Sequence, residues 1–242
     1  MNTKAIQQAT AHRPWPLRSK PWAFYQEWNR AFFLHWRVPH EWVQPMIPRG
    51  TALDIFDGSA WVSLVAFTME KIRPRQLPPW PLISNFHEVN VRTYVTAENK
   101  PGIFFLSIEA GKRVSAWISA GISGLNYEYA SMQRIDEKYT SLNTKRNYRL
   151  DAHYAVGKPI LQKSPLDIFL TEKYCLYMEK AGRPFRYEVH HQPWDLYRTS
   201  FSALTTDYTI GDCSLQSPPH LVHYSPGVQV LAWTPDPVPT HP

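Results

Sequence analysis

Residues 86–95, FHEVNVRTYV, alternate without interruption: Val89, Val91, Thr93 and Val95 project one way, and Glu88, Asn90, Arg92 and Tyr94 the other. The period of two predicts a β-strand. One face is apolar and β-branched, while the other carries an acid, an amide, a guanidinium and a phenol in a row. That row meets either bulk water or a cavity. The next strand, GIFFLSIEAG from Gly102, is apolar on both faces, which places it centrally in a sheet. Asparagine is disfavoured inside strands and calls for a specific hydrogen-bonding reason, so the pair of segments favours a cavity wall over a solvated face.

The remaining pattern is also dominated by strands. TALDIFDGSAWVSLVAFTMEKI reads as a hairpin turning at Asp57-Gly58. Residues 139–156 read as a hairpin or two strands joined at KRNYRLD, and YCLYMEKAGRPFRYEVHH as a hairpin turning at Ala181-Gly182. HLVHYS and VQVLAW are the final strands. Helix signals are short: one segment lies between Pro39 and Pro48, another opens with Ser164 as cap and Pro165 at the first position, and spacing from Ala116 to Leu125 is helix-like despite Gly121 and Gly124. The proline-rich stretch 73–85 reads as a lid or crossing loop. These add up to about ten strands and two or three short helices, the signature of a sheet that curls or closes.

Composition sharpens this picture. Hydrophobic residues make up 43%, aromatics 14% and charged residues 19%, with 22 prolines against 10 glycines. Large rings and frequent prolines favour interrupted strands over long helices. The 242 residues suit one domain, residues 21–234, with polar and proline-rich tails at 1–20 and 235–242 expected to be poorly ordered. The net charge of +6 is spread along the chain with no basic run longer than two, which argues against a nucleic-acid partner. No apolar run approaches the roughly 20 residues that span a bilayer, and Cys175 and Cys213 have no metal-like spacing. The expectation is a cytoplasmic protein with free thiols and no membrane partner, its oligomeric state left open.

Candidate chemistry centres on the polar row. An acid and an arginine on one face suit a held general base and an anchored carboxylate ligand. His190-His191 invites a metal, but adjacent strand residues face opposite ways, so no metal site is expected. His35, beside Trp36, reads as a packed, hydrogen-bonded histidine. Lys112 reads as a solvated turn residue, and Ser84, Ser119 and Ser123 lie outside any GxSxG setting. No glycine-rich phosphate loop is present, so no nucleotide cofactor is expected.

FLHWRVPHEWVQPMIPRGTALDIFDGSAWVSLVAFTM, NFHEVNVRTYV, GLNYEYASM, LTEKYCLY and HHQPW, in this order, closely resemble the YqjF-like bacterial proteins, a family of unknown function. The resemblance spans residues 22–233. That family in turn looks like a remote relative of acetoacetate decarboxylase. The resemblance implies a β-rich α+β fold, with a closed or strongly curved antiparallel sheet around a deep pocket and a few short helices. It also implies a functional glutamate at Glu88. The decarboxylase's lysine segment is similar to GLNYEYA here, so Tyr127 and Glu128 stand where its two lysines would be. Without that amine no imine forms.

The expected function is binding of a small polar or carboxylate-bearing molecule in an interior pocket, with acid/base chemistry and no cofactor. Glu88 and Tyr127 are the catalytic candidates, and Asn90, Arg92, Tyr94 and Glu128 the ligand-binding ones. A non-catalytic metabolite sensor and a buried structural network are the alternatives.

Overall fold

Runs of Val, Ile, Phe, Tyr and Trp fill pleated, half-buried surfaces, and strands accordingly carry the chain. A computed structural model describes residues 3–79, 84–112, 125 and 127–239. Its first half contains α1 (Thr3–Gln8), β1 (Phe24–Val38), α2 (His40–Val43), β2 (Ala52–Leu53), β3 (Ala60–Pro74), β4 (Phe86–Ala97) and β5 (Lys100–Ala110). After these come β6 (Glu128–Tyr129), β7 (Ser131–Ile135), β8 (Lys138–Asn143), β9 (Tyr148–Pro159) and α3 (Pro165–Thr171). The chain finishes with β10 (Cys175–Lys180), β11 (Arg183–His190), β12 (Tyr197–Asp207), β13 (Thr209–Ile210), β14 (Cys213–Ser214), β15 (Leu221–Ala232) and β16 (Asp236–Pro237).

β15, β1, β3, β4, β5, β10 and β11 are hydrogen-bonded in that order, and β11 pairs back onto β15 at Val189–Ala232 and His190–Leu231. Seven strands thus close a ring, and closure removes the exposed edges of so long a sheet. β12, β9, β8 and β7 continue from β15 as a wing. The sheet is mixed, a correction to the antiparallel expectation: β5 pairs in parallel with β10 and with β6. The chain leaves β5, builds the wing strands β7–β9 and α3, and returns as β10 in the same direction. Gly102 allows the close approach of β5 and β10, because a Cβ there would meet the Cys175 carbonyl oxygen at 2.6 Å.

Two of the apolar clusters among the described residues flank the ring wall. Phe32, Leu34, Trp36, Val89 and Val91 point out of the ring into a core shared with the wing residues Tyr139, Leu150 and Tyr154. Phe33, Val65, Phe67, Phe86 and Trp194 fill the inside. β1 was not marked by any alternation in the sequence, for a physical reason. Its register against β3 shifts between Asn29 and Phe32, Arg30 takes a positive φ of 51°, and both faces beyond the shift are buried.

Local signals fix several joints. Ser164 accepts from the Asp167 amide at 3.1 Å and Asp167 accepts from the Ser164 amide at 2.8 Å, so α3 starts with a reciprocal cap as its sequence predicts. Ala181 and Gly182 turn with φ of 51° and 72°. The Asp57-Gly58 turn also forms, but its hairpin is limited to the Phe56–Ser59 bridge. β2 pairs with β4 instead, since both edges of β3 are taken by β1 and β4. HLVHYS and VQVLAW merge into the single strand β15, with Gly227 at φ 138° where a Cβ would strike the Trp28 carbonyl.

The ends are held against the ring where their composition predicts loose tails. Ile6 is buried, and the Arg13 guanidinium donates to the Val189 carbonyl at 2.8 Å and sits 4.9 Å over the Tyr174 ring. Trp15 donates to Glu188 at 3.1 Å. β16 pairs with β11, and Val238 is buried. A few anchoring side chains do this, and average polarity conceals them. The helix-like spacing between Ala116 and Leu125 falls mainly on residues 113–124, outside the described residues.

Candidate functional site

The polar face of β4 points into the ring. Glu88, Asn90 and Arg92 line an interior cavity of 160 Å³, whereas Val89 and Val91 face the outer core. Register explains this: Phe67, Val65 and Ser63 of β3 lie opposite Glu88, Asn90 and Arg92, so one phase of the pleat faces inward across both strands.

Glu88 is 2% exposed. One carboxylate oxygen accepts from Asn90 Nδ2 at 3.0 Å and the other from the Tyr127 hydroxyl at 3.2 Å. Tyr139 donates to the Glu88 backbone carbonyl at 3.2 Å, which fixes the strand from the wing side. Burial pushes the Glu88 pKa up to about 7, while Asn90, Tyr127 and the Arg92 charge pull the other way. Glu88 is therefore a carboxyl that gains and loses its proton near neutrality. Burial and the Glu88 charge hold the Tyr127 hydroxyl well above the usual phenol range, so Tyr127 serves as a donor.

Arg92 is also buried, 5.6 Å from the centre of the Phe33 ring, and shares a hydrogen bond with Tyr94. Among the described residues its Nε has no hydrogen-bond partner, and neither have Asn90 Oδ1 and Trp28 Nε1 on the same cavity wall. Burial lowers its pKa, yet a guanidinium stays charged throughout the ordinary pH range. The other cation on the wall, Lys173, is already neutralised by Asp54 at 2.7 Å. Arg92 makes no ion pair with a carboxylate among the described residues.

Two of the sequence candidates lie elsewhere. Tyr94 continues the inward row but is sealed beyond the cavity: its hydroxyl donates to the Leu170 carbonyl of α3 at 2.9 Å and lies 2.6 Å from Ser63 Oγ. Ser63 in turn lies 2.6 Å from His35 Nδ1, His35 Nε2 lies 3.1 Å from His223 Nδ1, and His223 Nε2 lies 2.9 Å from Asp167. This chain of buried polar groups ties β4, β3, β1 and β15 to α3. His35 is the packed, bonded residue its sequence context suggests. Glu128 sits at the outer edge of β5, held by Arg146 at 2.8 Å and by Asn143 at 3.2 Å, and does not reach Glu88's cavity. Tyr127, one residue earlier, does.

Among the cavity residues that the sequence did not point to are Trp28 and Trp194, which stack at 6.1 Å, and Lys173. Trp194 belongs to the HHQPW motif and Lys173 to LTEKYCLY, so those motifs were the signal. His190, the last residue of β11, and His191 just beyond it diverge: His190 meets the Ile6 carbonyl at 2.7 Å, and His191 faces the cavity. Among the described residues no group of three His, Cys, Asp or Glu side chains is placed to hold a metal, and no helix is long and apolar enough to cross a membrane.

The architecture is that of the acetoacetate decarboxylase fold. The acetoacetate decarboxylase of Legionella pneumophila superposes with a TM-score of 0.59 at 12% identity, covering 98% of this chain and 96% of that one. The enduracididine biosynthesis enzyme MppR, solved in complex with pyruvate, gives a TM-score of 0.59 at 12% identity over 94% of both chains. In sequence, the chain is 33% identical over 221 residues to the uncharacterized protein YqjF of Bacillus subtilis (strain 168), covering 88% of this chain and 91% of that protein. Residues 25–229 match the model of the uncharacterized conserved protein family DUF2071. The chain belongs to that family, on the acetoacetate decarboxylase-like fold.

Proposed function

We propose that the cavity binds a small organic molecule bearing a carboxylate, that Arg92 holds the anion, and that Glu88, backed by Tyr127, exchanges a proton with the bound molecule. The observation that carries this reading is the buried Arg92 guanidinium, which faces the cavity with its Nε unpartnered and, among the described residues, no carboxylate in an ion pair with it. A desolvated, unneutralised cation is costly, and a ligand carboxylate offsets that cost with charge-assisted hydrogen bonds. Asn90 Oδ1, also unpartnered, offers an acceptor to a ligand hydroxyl.

Glu88 suits proton transfer because its pKa of about 7 lets it serve as acid or base at neutral pH. Imine chemistry receives no support from the described cavity. Its lysine, Lys173, is engaged by Asp54, and Tyr127 stands in the place the resemblance assigns to an amine. That MppR was solved with pyruvate bound makes small 2-oxo acids a reasonable first panel, although the likeness between the two chains is one of fold. For Tyr94 the structural alternative is favoured, because its hydroxyl lies beyond the cavity, donates to Leu170 and meets Ser63, and reaches the site only through the hydrogen bond it shares with Arg92.

Calorimetric titration of small carboxylates and 2-oxo acids into wild type, Arg92→Met and Glu88→Gln tests the proposal. Wild type should bind at least one of them, Arg92→Met should bind it at least tenfold more weakly, and Glu88→Gln should retain binding. Equal affinity in wild type and Arg92→Met would remove the anchoring role.

A further inference from the structure

The charged groups of the cavity wall, Glu88, Arg92 and Lys173, lie toward one end, and the other end carries aromatic rings together with the His191 imidazole, 6.0 Å from Trp28 and 5.5 Å from Trp194. Along β4 its wall runs Arg92, Asn90, Glu88, Phe86, and the strand between the first and last of these spans roughly 20 Å. The Arg92 end is closed by the Tyr94–Ser63 contact. Past Glu88 the wall is made of rings. Phe67 lies opposite Glu88 in register, Trp28 is 6.1 Å from Phe67, and Trp28 stacks on Trp194 at 6.1 Å and 23°. Phe33 meets Trp194 edge-on at 5.1 Å, which joins the aromatic wall to the ring beneath the Arg92 guanidinium.

Size and chemistry then constrain the occupant together. An apolar cavity of about 150 Å³ is large enough to take benzene, and this one measures 160 Å³. An acetate-sized anion seated on Arg92 would leave the aromatic end empty, forfeiting the dispersion contacts of its lining. The buried Trp28 Nε1–H at that end has no partner among the described residues and is a donor that the π face of a ring accepts.

We propose that the ligand class is an aryl-substituted carboxylic acid, its carboxylate on Arg92 and its flat ring against Trp28, Phe67 and Trp194. This deepens the reading of Arg92 as an anion anchor and rests on it. The part of the ligand between the two ends then passes Glu88 and Tyr127, so the atoms beside the carboxylate are those exposed to proton transfer.

Three probes titrated calorimetrically into the wild-type protein separate the two claims: phenylacetate, acetate and phenylacetamide. Phenylacetate should bind, with acetate and phenylacetamide each at least tenfold weaker. Acetate within threefold of phenylacetate would overturn the aromatic assignment while leaving Arg92 as an anchor. Phenylacetamide as tight as phenylacetate would show that charge anchors nothing, which overturns the underlying reading and the present proposal with it. No binding of any of the three would overturn both.

Discussion

Glu88 and Arg92 face one cavity from the same strand and form no ion pair. Four residues of extended chain put about 13 Å between their Cα atoms, and Asn90 stands between them, donating to Glu88 at 3.0 Å. An acid and a base that could have cancelled each other are thereby kept apart. The carboxyl is pushed toward its neutral form, and the guanidinium keeps a charge that no carboxylate among the described residues pairs with. That separation is what turns a polar face into a candidate site, and it generates distinct predictions for each residue.

Glu88 gives the pH dependence. Its folded pKa of about 7 lies above the ordinary value of 4.5, so the folded state holds the proton more tightly than the unfolded chain. Its contribution to stability is present in full below pH 4.5, declines as pH rises toward 7 and is gone above that, a change on the order of 3 kcal/mol. His87 and His190, both pushed down to about 4 by burial, act in the opposite sense. They are common to wild type and Glu88→Gln, so the difference between the two proteins isolates Glu88. Thermal midpoints measured from pH 5 to 8 should show wild type losing ground to Glu88→Gln as pH rises; a constant difference would place the Glu88 pKa near its ordinary value.

Arg92 carries a buried charge that has no ion pair with a carboxylate among the described residues and only a hydrogen bond with Tyr94 to support it, so replacing it should not weaken the empty protein. Arg92→Met is expected to match or exceed the wild-type unfolding free energy, because an apolar side chain of similar length removes the desolvation cost. Urea denaturation reads this directly. A loss of more than about 2 kcal/mol, the penalty typical of breaking a satisfied buried pair, would assign Arg92 to the architecture.

Tyr94 should behave in the reverse way. Tyr94→Phe leaves the Leu170 carbonyl and the Ser63–His35 chain short of a partner, at a cost of about 1–3 kcal/mol. Tyr94 also shares a hydrogen bond with Arg92, so ligand affinity, measured well below the unfolding midpoint, should fall, but by less than the tenfold expected of Arg92→Met. A large affinity loss with unchanged stability would return Tyr94 to the site.

The legible part of this protein was the local part. Period two in FHEVNVRTYV placed Glu88, Asn90 and Arg92 on one face, and Asn within a strand marked that face as special. Ser164-Pro165 and Ala181-Gly182 fixed a helix start and a turn because those joints depend on a few neighbouring dihedrals. Tyr94 shares the phase of the row, but only tertiary contact with α3 decides that it is sealed off. Glu128 follows Tyr127 directly, and the alternation that sends one inward sends the other to Arg146. β1 was hidden by its bulge, and the aromatic end of the cavity by distance, since Trp28 and Trp194 meet across 166 residues of sequence. The parallel pairing of β5 with β10 is likewise a long-range fact that no window contains.

That pairing supplies a stability prediction independent of the site. Gly102→Ala would put a Cβ at 2.6 Å from the Cys175 carbonyl oxygen and 2.8 Å from the Cys175 Cβ, within the contact that closes the ring. Forced separation of packed strands is expected to cost about 1–3 kcal/mol. A midpoint within experimental error of wild type would show that the ring tolerates a wider β5–β10 spacing.

The central claim, a cavity built for a carboxylate by Arg92, is tested most directly by thermal shift of wild type and Arg92→Met against one panel of 2-oxo acids and aryl carboxylates at pH 7. A ligand that binds only the folded state raises the midpoint in proportion to its saturation. The account predicts a rise for wild type with at least one carboxylate and none for Arg92→Met with the same compound. Equal rises in both proteins, or no rise in wild type with any member of the panel, would contradict it.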